Sequence, residues 1–464
     1  MIFSPFLSVF EQIQYFYLLY LIVTNVSTMG MTWITLKQMI WYYFYDIDTL
    51  LYTLYRTKVY TPISILAPAY NEQETIISSV YSLLRLDFRE YEIIIINDGS
   101  KDETLERVVK HFNLHEVAVP TDLRLEHQEI RAVYRSKEHK NLMVIDKENG
   151  GKSDALNAAI NIAAYPLICC VDADTILEKD AILYGMSKFV RDRRIIAVGG
   201  AIGITNGSVI EDHQLVERRV PNNLVEGFQI LEYLRGFFAG RVGWQNYNGL
   251  ILISGAFGIF KKELVLTVGG YRHAIGEDFD LLIRMRRHCY DEKIDHKVSF
   301  VSQILCWTQC PSDYGSLLKQ RNRWQRGLFE SLYYHKKMLF NPKYGIVGLV
   351  VLPYFLFIEA LGPIITFLGV ISIIVLYVFG FANSYAIVIF FLLEFAWGIM
   401  LNIFGLYLDL FTKHTFTGYK AHFKLLLLSF LEPFIYKPLL KAELFMATFN
   451  FMNSNWGEIK RKAL

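Results

Sequence analysis

The sequence predicts an α/β domain with a largely parallel sheet, flanked by membrane-spanning helices. Between Thr61 and Gln309, short apolar runs rich in Ile, Val and Leu alternate with runs of helical period. This alternation is typical of buried parallel strands joined by crossover helices. Long apolar segments flank this middle portion, and the 464-residue chain is 53% hydrophobic and 15% aromatic. Soluble enzymes of this length are usually more polar.

The flanking segments are long enough to cross a bilayer. Residues 5–26 form one apolar and aromatic run, and residues 345–381 and 385–411 form two more, whereas about 20 residues suffice for a helical span. A further run, 425–452, is broken by two prolines and a lysine. It could be a re-entrant hairpin, a kinked span or an interfacial helix. The first run lacks the features of a signal peptide, so we interpret it as an anchor.

Basic residues near the span ends predict the orientation. Lysines and arginines follow the first apolar run, three lysines lie within 412–424, and the chain ends in EIKRKAL. Because such residues concentrate on the cytoplasmic side, we expect a multi-pass protein of the inner (plasma) membrane with an external amino terminus. The middle portion would then be cytoplasmic. Residues 33–56 and 317–340 mix aromatic, apolar and basic residues, which favours helices at the membrane interface.

These features divide the chain into four predicted parts. They are a transmembrane helix with an interfacial helix (1–58), a cytoplasmic α/β domain (59–315), a second interfacial helix (316–344) and a transmembrane region with a basic tail (345–464).

Composition excludes several classes of function. The net charge is +2, and no basic face is interleaved with aromatic residues, so we expect no nucleic-acid partner. The five cysteines include no Cys-x-x-Cys pair, which indicates neither a cysteine zinc site nor a disulfide framework. No G-x-G-x-x-G occurs, so a nicotinamide or flavin enzyme is not expected.

Polar and acidic residues follow the predicted strands at one edge of the sheet, where ligands bind in such folds. Glu72 follows the first strand, Asp98 ends a run of four isoleucines, and Asp172 and Asp174 follow the strand LICCV. Asp98 could simply form a turn or cap a helix. The two aspartates two residues apart could converge on Mg²⁺ or Mn²⁺, which prefer oxygen ligands and also bind phosphate.

The stretch DKENGGKSDALN contains Gly-Gly-Lys-Ser before a helical run, as at the end of a phosphate-binding P-loop. The full P-loop motif requires a glycine where this chain has Asp146. Glycine amides, the Lys152 ammonium and a helix amino terminus could still bind an anion. An ordinary glycine turn with a solvated lysine explains the same residues.

Two further clusters have both a structural and a functional interpretation. Glu277 and Asp278 precede an amphipathic helix, where carboxylates are stabilised by the helix dipole. They could alternatively supply a general base. The stretch QRNRW ends at Trp324. It could lie at the membrane surface, or Arg323 could bind a diphosphate and Trp324 could stack on a sugar.

In this order, the motifs resemble those of the membrane-embedded family 2 glycosyltransferases. That group includes poly-N-acetylglucosamine, chitooligosaccharide, hyaluronan and cellulose synthases. The resemblance covers about residues 62–326 and the flanking spans. It rests on APAYNEQETI, IIINDGSKDET, DKENGGKSDALN, VDADT, SGAFGIF, GED and QRNRW.

The resemblance implies a GT-A (Rossmann-like) fold and inverting, metal-dependent transfer from a UDP-sugar, either UDP-N-acetylglucosamine or UDP-glucose. The acceptor would be a growing β-linked polysaccharide. Two alternatives stay open: transfer of one sugar to a lipid carrier, and a non-catalytic membrane scaffold with a decayed transferase fold. Secretion partners are possible, but the motifs identify none.

The resemblance also assigns roles to residues. Three of them would hold the uridine end of the donor: Tyr70, Glu72 and Asp98. Lys152 would approach the diphosphate. Asp172 and Asp174 would mark the position of the metal and the diphosphate, with Asp174 the more direct ligand. Asp278 would take the proton from the acceptor hydroxyl. The acceptor and leaving-group side would be lined by Gln320, Arg323 and Trp324.

Overall fold

A computed structural model describes residues 4–44, 61–119, 124–211, 213–409, 416 and 418–449. The basic tail, most of the loop that begins after residue 409 and the later part of the predicted interfacial segment 33–56 lie outside these residues. The described chain divides into two compact units. The α/β unit contains residues 61–219 and 244–310, and the helical unit contains 4–40, 220–243 and 311–449.

The strands are, in chain order, β1 (Ile63–Ala69), β2 (Tyr91–Asp98), β3 (Leu114–Glu116), β4 (Ile130–Ser136), β5 (Leu142–Lys147), β6 (Leu167–Cys170), β7 (Ile176–Leu177), β8 (Ile195–Ile204), β9 (Val209–Glu211), β10 (Gln214–Glu217), β11 (Gly258–Lys261) and β12 (Lys297–Thr308).

The α-helices are, in chain order, α1 (Ser4–Phe44), α2 (Ile76–Leu84), α3 (Thr104–His111), α4 (Lys152–Ile162), α5 (Ala181–Arg191), α6 (Leu224–Leu234), α7 (Gly243–Asn246), α8 (Lys262–Thr267), α9 (Glu277–Asp291), α10 (Tyr314–Tyr334), α11 (Leu352–Tyr354), α12 (Gly362–Val378), α13 (Ser384–Phe391), α14 (Trp397–Asp409) and α15 (Tyr419–Phe449). Further π-helical segments are Arg235–Val242, Val347–Val351, Phe355–Ala360 and Leu392–Ala396, and 3-10 turns are Lys336–Met338 and Pro342–Tyr344.

The α/β unit is built on a ten-stranded sheet in the order β3-β4-β5-β2-β1-β6-β11-β8-β12-β7. Its centre is parallel, as predicted, because β5, β2, β1 and β6 run in one direction. The sheet as a whole is mixed, since β11 is antiparallel to both β6 and β8. The apolar runs form these strands because both faces of the sheet are covered, and β8 is buried along its whole length. The α/β fold class is therefore confirmed.

The helical unit differs from the prediction at three places. α1 is one unbroken helix of 41 residues, about 60 Å long, so no break separates the predicted span from the part of the interfacial segment that the structure describes. The predicted span 345–381 consists of two helical segments bent by 46°. Of the run 425–452, for which three forms were open, residues 425–449 are helical within α15 although Pro433 and Pro438 lie inside it.

Two helices in the described chain are long and apolar enough to cross a membrane, Leu7–Ile40 and Ser384–Asp409. A third span exists if the bent pair crosses as one unit. Residues 220–243, which the sequence analysis assigned to the central domain, belong to the helical unit instead. Their polar side chains explain the difference, since Glu232 pairs with Arg321 of α10 and Arg235 with Glu432 of α15.

Candidate active site

The carboxyl ends of the parallel strands bring the predicted acidic residues to one edge of the sheet. β2, β1 and β6 are neighbours, and they are followed or ended by Asp98, by Glu72, and by Asp172 and Asp174 respectively. Because β5 lies beside β2, the glycine loop that joins β5 to α4 begins at the same edge. Parallel strands thus convert separate sequence motifs into one surface.

An acidic cluster forms where Lys152 meets carboxylates from two other segments. The Lys152 Nζ atom lies 2.7 Å from Asp172 Oδ1 and 3.5 Å from Glu277 Oε1. Asp278 is close enough to interact electrostatically with Lys152, Asp172 and Glu277. We use the name acidic cluster for Lys152, Asp172, Glu277 and Asp278. It contains one cation and three carboxylates, so it favours an additional cation.

The position of the cluster depends on a close approach at Gly255. A Cβ atom added to Gly255 would lie 2.4 Å from both Asp278 Oδ2 and Lys152 Nζ. A side chain at this position would therefore displace both charged groups. In the structure, the glycine makes room for the reactive side chains themselves.

The environment of Asp278 suits a base that works near neutral pH. Burial is the main cause that raises the pKa of Asp278, to about 7. The Lys152 ammonium lowers this pKa, whereas the carboxylates of Glu277 and Asp172 raise it. Asp278 is half-buried while Glu277 is buried, so Asp278 is the more accessible of the two. A carboxylate with a pKa near the working pH is an efficient proton acceptor.

Lys152 stays a cation in this setting. Burial lowers the pKa of Lys152, but the carboxylates of Asp172, Asp278 and Glu277 outweigh burial, and the pKa lies well above its usual value. The ammonium is therefore positioned as a permanent positive charge beside the acids. Such a charge can stabilise a phosphate group that becomes more negative during a reaction.

The glycine loop uses its amides differently from a phosphate-binding loop. The Gly150 and Gly151 amides donate to the two carboxylate oxygens of Asp98, at 3.0 and 2.8 Å. Asn149 Nδ2 also donates to Asp98 Oδ2 at 3.2 Å. The anion that these amides bind in this structure is thus a buried aspartate of the chain. A direct contact of Asp98 with the uridine end of a donor stays a prediction.

The other donor-side residues occupy different environments. The Tyr70 side chain follows β1 and is 44% exposed, which leaves its ring accessible for stacking on a base. Glu72 Oε2 accepts a hydrogen bond from Thr75 Oγ1 at 2.8 Å, and the Glu72 amide donates to Thr104 Oγ1 at 2.9 Å. Glu72 therefore holds the start of α2, and its predicted contact with uridine stays a prediction.

The QRNRW residues lie on α10 in the helical unit, whereas the acidic cluster lies in the α/β unit. Trp324 is 45% exposed, and the Arg321 guanidinium lies 4.1 Å from the centre of its ring. Arg321 also donates to Gln320 Oε1. The predicted roles of Gln320, Arg323 and Trp324 toward an acceptor stay predictions.

Three residues with clear structural roles were missed or left without a role by the sequence analysis: Lys147, Gly255 and Arg321. Lys147 ends the apolar strand LMVIDK, yet it is fully buried. A lysine in that position was the available signal. Arg321 was counted within QRNRW, but its carboxylate partner Glu232 is 89 residues away and has no local signature.

The side chains near Asp172 fit a divalent cation that is bound partly by the protein and partly by oxygen atoms of a substrate. The described chain has no group of three or more His, Cys, Asp or Glu side chains arranged to hold a metal ion. Asp172 and Asp174 supply oxygen atoms only, which suits Mg²⁺ or Mn²⁺ rather than Zn²⁺. Two carboxylates leave coordination positions for phosphate oxygens, as is usual for Mg²⁺ bound with a nucleotide.

The mixed sheet with acidic residues at its carboxyl edge is that of the GT-A glycosyltransferases. A mannosyltransferase from Pyrobaculum calidifontis, solved in complex with GDP-Man and Mn²⁺, superposes with a TM-score of 0.51 at 14% sequence identity. The superposition covers 93% of this chain and 99% of that one.

The chain belongs to glycosyl transferase family 2. The model described as Glycosyl transferase family 2 matches residues 64–264, and the model described as Glycosyl transferase family group 2 matches residues 167–406. The protein is therefore a glycosyltransferase, which confirms the predicted class of enzyme.

The chain is also similar to curated bacterial synthases. It is 32% identical over 273 residues to the poly-beta-1,6-N-acetyl-D-glucosamine synthase of Staphylococcus aureus (strain COL). It is 30% identical over 271 residues to the synthase of the same name from Staphylococcus epidermidis. Each match covers 58% of this chain and 55% of the relative, so the chain aligns with little more than half of each relative's length.

Proposed function

We propose that the protein is an inverting glycosyltransferase that extends a β-linked polysaccharide with N-acetylglucosamine taken from UDP-N-acetylglucosamine. One observation carries this proposal: Asp278, with a pKa of about 7, lies in a cluster with Lys152 and Asp172. The cluster offers a base on one side and cation-binding groups on the other. The named function of the staphylococcal relatives supports the choice of sugar and product.

The proposed reaction is a single displacement at the anomeric carbon. A hydroxyl of the acceptor forms the new carbon–oxygen bond while the bond to UDP breaks, and the configuration inverts. The hydroxyl proton passes to the Asp278 carboxylate, and the electron pair of the broken bond leaves with UDP. Lys152 stabilises the negative charge that develops on the diphosphate. Tyr70, Glu72 and Asp98 are proposed to hold the uridine end.

A divalent cation is proposed at Asp172 and Asp174. When bound, Mg²⁺ or Mn²⁺ would neutralise charge on the leaving diphosphate. These two aspartates would hold it together with oxygens of the donor. The Lys152 ammonium already neutralises part of the charge on Asp172, so the chain orients this carboxylate before a donor arrives.

The protein is proposed to be a multi-pass protein of the inner (plasma) membrane with its α/β unit in the cytoplasm. The candidate spans and the basic residues around them support this orientation. A cytoplasmic site has access to UDP-sugars. Gln320, Arg323 and Trp324 are proposed to line the acceptor and leaving-group side. The functional division is proposed to follow the boundaries 1–58, 59–315, 316–344 and 345–464, with residues 220–243 of the helical unit inserted within the second part.

The experiment is transfer from labelled UDP-sugars by the purified full chain in nanodiscs with Mg²⁺ or Mn²⁺. We expect UDP-N-acetylglucosamine to give a labelled product that is retained on size fractionation. D278N should lower turnover by about 10²–10⁴-fold, the usual contribution of a general base, while UDP still binds. D291N, at the far end of α9, is the matched control and should behave like the wild type.

A second candidate is transfer of a single sugar to a lipid carrier, which the small number of candidate spans favours. Its product would pass into organic solvent and carry one sugar. Preference for UDP-glucose would correct the sugar alone. Absence of transfer with every UDP-sugar tested would remove UDP-sugars as the proposed donors.

A further inference from the structure

Lys147 is a fully buried lysine at the sheet edge that the proposed reaction does not use. Its side chain has no exposed surface, and it ends β5 directly opposite Asp98, the last residue of β2. The Nζ atom lies 2.7 Å from Asp98 Oδ1 and 2.5 Å from Asp154 Oδ1. It also donates to the Glu148 carbonyl oxygen. The ammonium thus donates hydrogen bonds to Asp98 and to the Glu148 carbonyl and forms an ion pair with Asp154.

Both carboxylates that Lys147 joins hold the glycine loop. Asp98 accepts from the amides of Gly150 and Gly151. Asp154, in the first turn of α4, lies so close to Gly150 that an added Cβ atom would be 2.5 Å from Asp154 Oδ1. Lys147 therefore closes the loop at its base, where one carboxylate comes from β2 and the other from α4.

The loop that Lys147 closes leads directly to Lys152. Gly151 has a φ angle of +86°, which residues with side chains rarely adopt, and Lys152 begins α4 immediately afterwards. From there the Lys152 Nζ atom reaches Asp172 at 2.7 Å. A shift of the loop would move the start of α4 and, with it, the ammonium in the acidic cluster.

We propose that Lys147 is a positioning residue that acts on the donor through Lys152. The inference rests on the proposed function, because it assumes that Lys152 contacts the donor diphosphate. The charge of Lys147 is needed because its loss leaves Asp98 and Asp154 as two carboxylates that no longer share a cation. The hydrogen bonds of Asp98 to the loop amides then no longer fix the loop in one arrangement.

The test is a double-mutant cycle between Lys147 and Lys152 that measures binding of UDP in the presence of Mn²⁺ to the full chain. K147M alone exposes Asp98 and Asp154 to each other and could unfold the protein. The second variant, K147M/D154N, removes the Lys147 ammonium together with the Asp154 carboxylate. Its UDP affinity is compared with that of D154N. Thermal unfolding of each variant separates folding from binding.

We expect K147M/D154N to bind UDP about 10- to 100-fold more weakly than D154N, since a displaced charged group loses most of its interaction with a bound phosphate. In a K152M background the same change should have an effect below about 3-fold, because residues that act as a unit are not additive. R131Q, which removes the neighbouring exposed pair of Arg131 and Glu148, should bind UDP as the wild type does.

The outcomes separate the two proposals. Equal losses of UDP affinity in the Lys152 and K152M backgrounds would show that Lys147 only supports the fold. The same conclusion would follow if K147M/D154N regained both its thermal stability and the UDP affinity of D154N. Either result overturns the positioning role and leaves the transferase proposal standing. If the wild-type protein neither binds UDP nor transfers sugar, the proposed function itself fails.

Discussion

The two units of this protein bury charged side chains for different purposes. In the α/β unit, the acidic cluster gathers three carboxylates around Lys152. In the helical unit, the half-buried Glu232 and the buried Glu432 are each matched by at least one cation. Glu232 receives two hydrogen bonds from Arg321, at 3.0 and 2.7 Å, and Glu432 lies 3.2 Å from Arg235.

The matched network joins helices that are distant in sequence. Besides Arg235, Glu432 receives a hydrogen bond of 3.0 Å from Asn402 of α14, and Lys437 Nζ lies 3.6 Å away. Tyr436 of α15 donates to Glu232 at 2.5 Å. Carboxylates that each have a cation can hold helices together, whereas an excess of carboxylates over cations, as in the acidic cluster, favours a place that a cationic ligand completes. The comparison therefore favours the acidic cluster, rather than the helical network, as the proposed site of chemistry.

The largest effect on activity is expected from a substitution that displaces two charged groups of the acidic cluster at once. G255A should lower kcat/KM by about 10³-fold or more, since misplacement by about 1 Å already costs about 10²-fold. The reason is that the new methyl group would lie 2.4 Å from both Asp278 and Lys152. Steady-state transfer assays measure the loss. G30A, a helical position with open space around it, is the control, and full activity of G255A would contradict the proposed site.

A smaller effect, on stability, is expected in the matched network. R321M should destabilise the helical unit by about 3 kcal/mol, because it removes the buried guanidinium and leaves the half-buried Glu232 without its cation. The double variant R321M/E232Q should recover part of that loss. Denaturant unfolding in detergent measures both, with R219Q of an exposed pair as the control. Equal stability of R321M and R219Q would show that the pair of Arg321 and Glu232 does not stabilise the packing of the helices.

The smallest effect is a gradual dependence on pH. Asp278 accepts a proton only as the carboxylate, so kcat/KM should fall below pH 7 by about tenfold per pH unit, as expected for its raised pKa. E277Q removes a neighbouring negative charge that raises this pKa, and the fall should then begin at a lower pH. A pH–rate profile of both proteins tests the sign. A profile that is flat from pH 5 to 8 would exclude Asp278 as the base.

Sequence patterns predicted most of the framework and much of the site. The isoleucine run before Asp98 and the strand before Asp172 became neighbouring parts of one parallel sheet, and Lys152, Glu277 and Asp278 met Asp172 as the motifs suggested. The boundary at residues 220–243 was not predictable. α6 has the apolar pattern of any buried helix. Its place in the helical unit depends on the ion pair between Glu232 and the distant Arg321.

Local patterns were enough to predict the alternating strands and helices, the long apolar segments and the acidic residues at strand ends, because each of these depends on neighbouring residues in the chain. Three contacts depend on the folded chain instead: the glycine amides bind Asp98, Lys147 is buried between Asp98 and Asp154, and Gly255 makes room for Asp278. Each of these contacts joins segments that are distant in the chain or on different elements. Their partners are selected by packing and by the cost of burying an unpaired charge, which no local pattern records.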